Sequence, residues 1–221
     1  MKILDIPQTG SLGQTVTYQS RYGQVRRQRT IPRNPRTPVQ MEWRDAFQRA
    51  RNFWGTLTDE QFPAWEAAGQ SRRIQSLLGR SGPIPGYRVS VSVNARLAMV
   101  GQPMVTAPPP VPVFPGSPVV GLVITNTAGN VSLQLQLSGK PGQYVLVFGA
   151  RPQNPGVTYV DHYPFLGVLP EEAGEAVDIT QLYAARFGAP PVGKRVFIQT
   201  VQQINGWQDQ PITLSARVRA S

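Results

Sequence analysis

The sequence predicts a mainly β protein, with a small α+β N-terminal part followed by a C-terminal β-sandwich. Three observations carry that expectation. Prolines and glycines are abundant, 22 and 21 in 221 residues, which favours turns and extended connectors over a helix bundle. Beyond residue 118, short apolar runs alternate with polar residues at the period of a strand. Hydrophobic residues make up 40% of the chain, enough for a core and too many for wholesale disorder.

Residues 1–36 are expected to form an extended basic arm carrying a β-hairpin. Leu12 to Gln19 and Gln24 to Ile31 flank Ser20-Arg-Tyr-Gly23, and Val and Thr beside a glycine-bearing link suit two paired strands. Pro32 and Pro35 end the second strand by removing donors and forcing extended geometry before them.

A small helical unit is expected over 37–102. Thr37 offers a cap, Pro38 a first helical position and Gln40 a third-position amide. Val39, Trp43, Phe47, Ala50 and Trp54 then recur every three or four residues as one apolar stripe, with Gly55 as a stop. A second capped start at Thr58 to Gln61 leads through Phe62, Trp65 and Ala68 towards Gly69, with Pro63 shortening or kinking it. The aromatic set Trp43, Phe47, Phe53, Trp54, Phe62 and Trp65 is read as the core of this unit. Residues 70–86 read as a loop. Residues 87–101 carry two signals: Val89, Val91 and Val93 alternate like a strand, while Ala95 to Val100 closes like a helix before Gly101.

Seven prolines fall in 103–118, a stiff linker and the best domain boundary. The sandwich domain is placed at 119–221. Its strands are expected at Val119 to Ile124, at Val131, Leu133, Leu135 and Leu137, at Tyr144 to Phe148 as a central strand, at Arg195 to Val201, and at Ile212 to Val218. Asp178 to Gly188 reads as a short capped helix between them. About seven strand-sized runs with turns between them fit an immunoglobulin- or fibronectin III-like sandwich.

The N-terminal half resembles a loose group of uncharacterised bacterial and phage-associated proteins. The residues carrying the resemblance are the hairpin from Gly10 to Gly23, the basic strand Val25 to Arg29, the Pro-Arg-Thr-Pro-Val-Gln helix start at 35–40, and Leu57-Thr58 with Gln61 and Trp65. Gly86-Tyr87, Asn94 and Pro108 to Pro110 continue it. It covers about half of the chain, implies a helix at 87–101, and carries no activity or site residues with it.

Catalytic chemistry finds few candidates. There is no cysteine and one histidine, His162, which excludes thiolate metal sites and most hydrolytic triads. Asp161-His162 is read as a turn or interface pair rather than a metal or acid–base site. Glu171, Glu172 and Glu175 are read as a solvated loop, because they lack the dense spacing of a calcium loop. No phosphate-loop or dinucleotide fingerprint is present. No enzyme, no metal site and no cofactor is expected. An N-terminal signal peptide and membrane spans are not expected either, since no apolar run is long enough.

Charge is the distinctive feature. The net charge is +10, and residues 1–98 hold 15 basic against 6 acidic side chains, residues 99–221 only 7 against 6. Arg21, Arg26, Arg27, Arg29, Arg33 and Arg36 place six guanidinium groups within 16 residues, with Tyr18 and Tyr22 nearby. Arginine's planar fork suits carboxylates and phosphates, so this strip is the predicted partner- or polyanion-binding site. The leading expectation is a structural subunit of a phage-like particle, localised to the virion after assembly in the host cytoplasm. Its partners would be other virion or assembly subunits, in a homo-oligomer, with no membrane. The alternative is a nucleic-acid-binding protein using Arg21 to Arg36. A third is carbohydrate binding through the sandwich loops, with Trp207 as the stacking platform.

Overall fold

The structure, a computed structural model, describes residues 8–20, 23–31, 36–75, 81–127, 129–139, 143–169 and 174–219, as backbone alone at 73–75 and 81. Its contacts divide the chain into two compact units, Met1–Thr37 and Pro38–Ser221.

The first unit is a three-stranded antiparallel sheet of β1 (Gly10–Leu12), β2 (Thr15–Ser20) and β3 (Gly23–Gln28), with β2 in the middle. The predicted hairpin is the β2–β3 pair. β1 was not predicted. It is joined to β2 by a tight turn in which Gly13 takes a positive φ of 57°, open to glycine without strain.

The second unit begins with helices. α1 (Pro38–Trp54) starts at the expected proline, and α2 (Phe62–Gln70) starts late. The Thr58 N–H donates to Gln61 Oε1 at 2.9 Å, so the predicted capping pair forms a turn that precedes α2. Strands β4 (Arg73–Gln75) and β5 (Ser81–Pro83) pair within the expected loop, and α3 (Gly86–Met99) follows.

The valine alternation at 89–93 therefore lies on a helix. Its cause is burial on several sides: Val89, Val91, Val93, Ala95 and Leu97 are all buried, and so are the polar Ser90 and Asn94. A helix enclosed on most sides, with only Arg88 exposed, has too narrow a wet face to impose a 3.6-residue pattern. Asn94 is satisfied by the proline-rich segment, accepting from the Val105 N–H at 2.8 Å and donating to the Val105 carbonyl at 3.3 Å.

Residues 103–118 have no regular secondary structure but are fixed at several points. The Trp65 indole donates to the Thr106 carbonyl at 2.8 Å and the Trp207 indole to the Pro109 carbonyl at 3.0 Å. Gln202 donates to the Gly116 carbonyl at 3.1 Å. A run poor in N–H donors still offers every carbonyl, and buried indoles take them.

The remainder is built from β6 (Val119–Thr127), β7 (Asn130–Leu137), β8 (Tyr144–Gly149), β9 (Phe165–Leu169), β10 (Ala176–Asp178), α4 (Thr180–Phe187), β11 (Arg195–Ile204), β12 (Trp207–Gln208) and β13 (Ile212–Arg217). One antiparallel sheet has the order β10-β7-β6, and the other β12-β11-β8-β9 with β13 also on β11. Among the described residues strand exceeds helix, 35% against 25%, so the chain is mostly β with several antiparallel sheets.

Both larger sheets share one core: Leu133, Leu135 and Leu137 of β7 meet Val145 and Val147 of β8, Val196 and Ile198 of β11, and Tyr183 of α4. Tyr183 donates its hydroxyl to the Ala150 carbonyl at 2.8 Å, and burial pushes its pKa up. β8 is central, as expected, pairing with β9 and β11. β9 and β10 are additional.

The helices cover part of the opposite face of the β8–β11 sheet. Leu146 and Gln203 on it are buried, and Gln203 donates to the Arg96 carbonyl of α3 at 2.9 Å. Trp43 of α1 stands edge-on to Phe165 of β9 at 5.5 Å. On the core side, Thr200 is 3% exposed and its hydroxyl has no hydrogen-bond partner. Thr200→Val keeps the shape and removes the orphaned group, so a gain of about 1 kcal/mol is expected, read as a higher urea midpoint at unchanged slope.

Candidate functional site

Pairing in the N-terminal sheet sets where its arginines point. Arg26 lies opposite Thr17 and Arg27 opposite Val16, so adjacent arginines emerge on opposite faces. Arg29 continues the ladder beyond β3, its N–H bonded to the Gln14 carbonyl, and so shares the face of Arg27, Val25, Tyr18 and Val16. Arg26 shares the other face with Thr15 and Thr17.

All three guanidinium-bearing residues are exposed. Arg26 donates to Gln8 Oε1 at 3.0 Å. Arg27 lies over the Tyr18 ring at 5.5 Å, a cation–π contact that holds the side chain in place and leaves its charge available. Among the described residues, no carboxylate pairs with Arg26, Arg27 or Arg29. Arg36 is exposed and lies beyond the sheet with a positive φ of 49°. Arg21 and Arg33, like Tyr22, lie outside the described residues.

The described residues of this unit enclose almost no interior. Among its described residues only Thr17 is buried, while Leu12 and Ile31 are 88% and 81% exposed. A small sheet with no apolar face buried lacks the term that offsets its ordering entropy. Within the unit β1 and β3 each pair on one side only, which leaves two backbone edges able to accept another strand.

The other sequence candidates separate. His162 and Asp161 are exposed on the loop between β8 and β9. Glu171 and Glu172 lie outside the described residues, and Glu175 is exposed. No group of three metal-ligating side chains exists among the described residues, and no helix there is long and apolar enough to cross a membrane.

Trp207 is not a surface platform. It is 4% exposed, inside a cluster with Trp65, Val89, Val93 and Leu97, with Arg72 stacked on it at 3.9 Å. The Asn205-Gly206 turn is present, with both residues at positive φ, but α3 packs against it: a Cβ on Gly206 would meet the Val93 carbonyl oxygen at 2.7 Å. Phe47 also departs from expectation. It is 52% exposed, whereas Ala46 and Ala50 are fully buried.

No protein-family model, curated protein or solved structure matches the chain.

Proposed function

We propose that the protein is a non-enzymatic structural subunit of a phage-like particle, a capsid decoration, minor capsid or tail-associated protein that assembles through its arginine-rich N-terminal unit. The observation that carries this reading is the sheet within residues 10–28, which among the described residues has arginines on both faces, two edge strands paired on one side only and no buried apolar side chain. Such a unit gains order against an acidic or strand-donating neighbour. Arginine's fork favours carboxylate partners on adjacent subunits.

The larger unit fits the role of a compact module presented by a particle. We read its two large sheets as an immunoglobulin- or fibronectin III-like sandwich. The orders β6-β7-β10 and β13-β11-β8-β9 correspond to strands A-B-E and G-F-C-C′ of such a module.

The experiment is hydrogen exchange on the full chain, alone and in the assembled particle, with the mass in solution measured in parallel. Amides of β1–β3 are expected to exchange fast in the monomer and to become protected on assembly. A chain that stays monomeric and already protects those amides overturns the proposal. The alternative partner is nucleic acid, favoured by the Arg27–Tyr18 pair, which combines a charge with an aromatic face. It predicts duplex DNA binding whose logarithm falls with log salt by about 0.9 per phosphate contacted.

A further inference from the structure

The loop between β8 and β9 spans residues 150–164 with neither helix nor strand. Loops of that length inside a compact unit are uncommon, and those held in place are commonly functional. This one is held. Gln153 forms an antiparallel bridge with Arg195, with both N–H···O bonds made, at 2.8 and 2.9 Å. Lys194 donates to Asn154 Oδ1 at 2.7 Å, and Arg195 to the Val157 carbonyl at 3.1 Å. At the far end the Gly149 N–H bonds the Pro164 carbonyl at 2.9 Å.

The held loop sets Thr158 to Tyr163 beside the part of the β8–β11–β13 face that the helices leave uncovered. Register places Phe148, Gln199 and Thr213 in one row and Phe197 with Ser215 in the next. Between loop and sheet runs an open cleft of about 650 Å³. Tyr159 stands 76% exposed at its rim, and Asp161 and His162 are exposed beside it. Tyr163 is half-buried. Burial raises its pKa, and a hydrogen bond to Thr213 opposes that shift.

The composition of this lining selects a ligand class. Among the described residues no lysine or arginine lines it and Asp161 is its single carboxylate, which gives it no charge set for a phosphate or a polycarboxylate. Hydroxyl, amide, imidazole and carboxylate groups interrupt the aromatic rings, which disfavours a wholly apolar ligand. The open shape on a sheet face admits a chain of linked units. Sugars answer all three conditions. The C–H face of a pyranose is apolar and lies flat on an aromatic ring, and its hydroxyls both donate and accept.

We propose that this cleft binds a neutral oligosaccharide, with Tyr159 as the stacking platform and Asp161, His162 and Gln199 as hydroxyl partners. Only Asp161 and His162 of these were apparent as polar candidates in the sequence. The site is built from residues of the larger unit alone, and the proposal is independent of the assembly reading.

Saturation-transfer NMR on the full chain tests it, with glucose-, galactose-, mannose- and N-acetylglucosamine-based tetrasaccharides as probes and a polygalacturonate fragment as the anionic control. At least one neutral probe is expected to take up saturation, with affinity unchanged between 50 mM and 1 M NaCl. Tyr159→Ala, at an exposed position that leaves the fold intact, is expected to weaken that binding at least tenfold, and Gln199→Ala to weaken it as well. Absence of transfer to every neutral probe overturns the proposal. So does binding that survives both substitutions, and so does preference for the anionic control. None of these outcomes moves the hydrogen-exchange result on β1–β3, which decides the assembly role.

Discussion

Trp65→Ala is expected to lower folding stability by about 3–5 kcal/mol, the range for truncating a fully buried tryptophan. The side chain is completely inaccessible and touches three layers of the larger unit. It packs with Leu57, Val89, Val93, Leu97 and Trp207, and its indole holds the proline-rich segment through the Thr106 carbonyl at 2.8 Å. Truncation leaves a cavity between α2 and α3 and also removes the hydrogen bond to the Thr106 carbonyl. α2 and α3 are poorly placed to collapse into the gap, because they already meet backbone to backbone: a Cβ on Gly86 would lie 2.6 Å from the Glu66 nitrogen. Trp65→Phe separates the two losses, retaining most of the ring volume while deleting the donor. It is expected to cost about 1 kcal/mol, the net contribution of one hydrogen bond whose acceptor, on exposed Thr106, can turn to water. Urea unfolding of both variants at unchanged slope checks this. Equal losses in the two variants would assign the whole effect to the bond with Thr106 and none to packing.

Local signals were legible wherever one residue's neighbours along the chain also decide its surroundings. The hairpin at 12–31, the start of α1 at Pro38, the alternation of β7 and the central β8 all read directly from period and punctuation. Long-range contacts defeat such reading in three particular places. α3 has only a narrow wet face, so Val89, Val91 and Val93 gave a strand-like pattern on a helix, against the helix-like close from Ala95 to Val100 and the resemblance. α1 was expected to bury the large residue Phe47, but α1 lies against α3 through Ala50, packed with Val91 and Ala95, and its small side chain permits close approach. The stripe of large residues was therefore displaced from the true contact line. Trp207 sits in a turn that the sequence located well, yet its burial depends on residues 65–97 folding over that turn, more than a hundred positions upstream. Nothing local encodes that. The arginine strip was legible as charge, whereas its division between two faces required the β2–β3 register.

That division makes the second large effect specific. Combining Arg26→Glu, Arg27→Glu and Arg29→Glu is expected to abolish assembly at concentrations where the natural chain assembles. A unit charge pair at contact distance in water contributes about 1 kcal/mol. Inversion turns attraction into repulsion at each of three positions, which corresponds to a loss on the order of ten-thousand-fold in association. The three residues are exposed and belong to a unit without a buried apolar residue among those described, so the unfolding transition of Pro38–Ser221 is expected to stay in place. The conservative set Arg26→Lys, Arg27→Lys and Arg29→Lys distinguishes the kind of partner. Lysine preserves charge but lacks the planar fork, so partners held through bidentate carboxylate contacts lose affinity, while a phosphate backbone met mainly as a field of charge is bound nearly as before. Sedimentation velocity across a salt series reads both sets on one scale. Assembly by the glutamate variant at the natural concentration would remove the basic strip from the interface altogether.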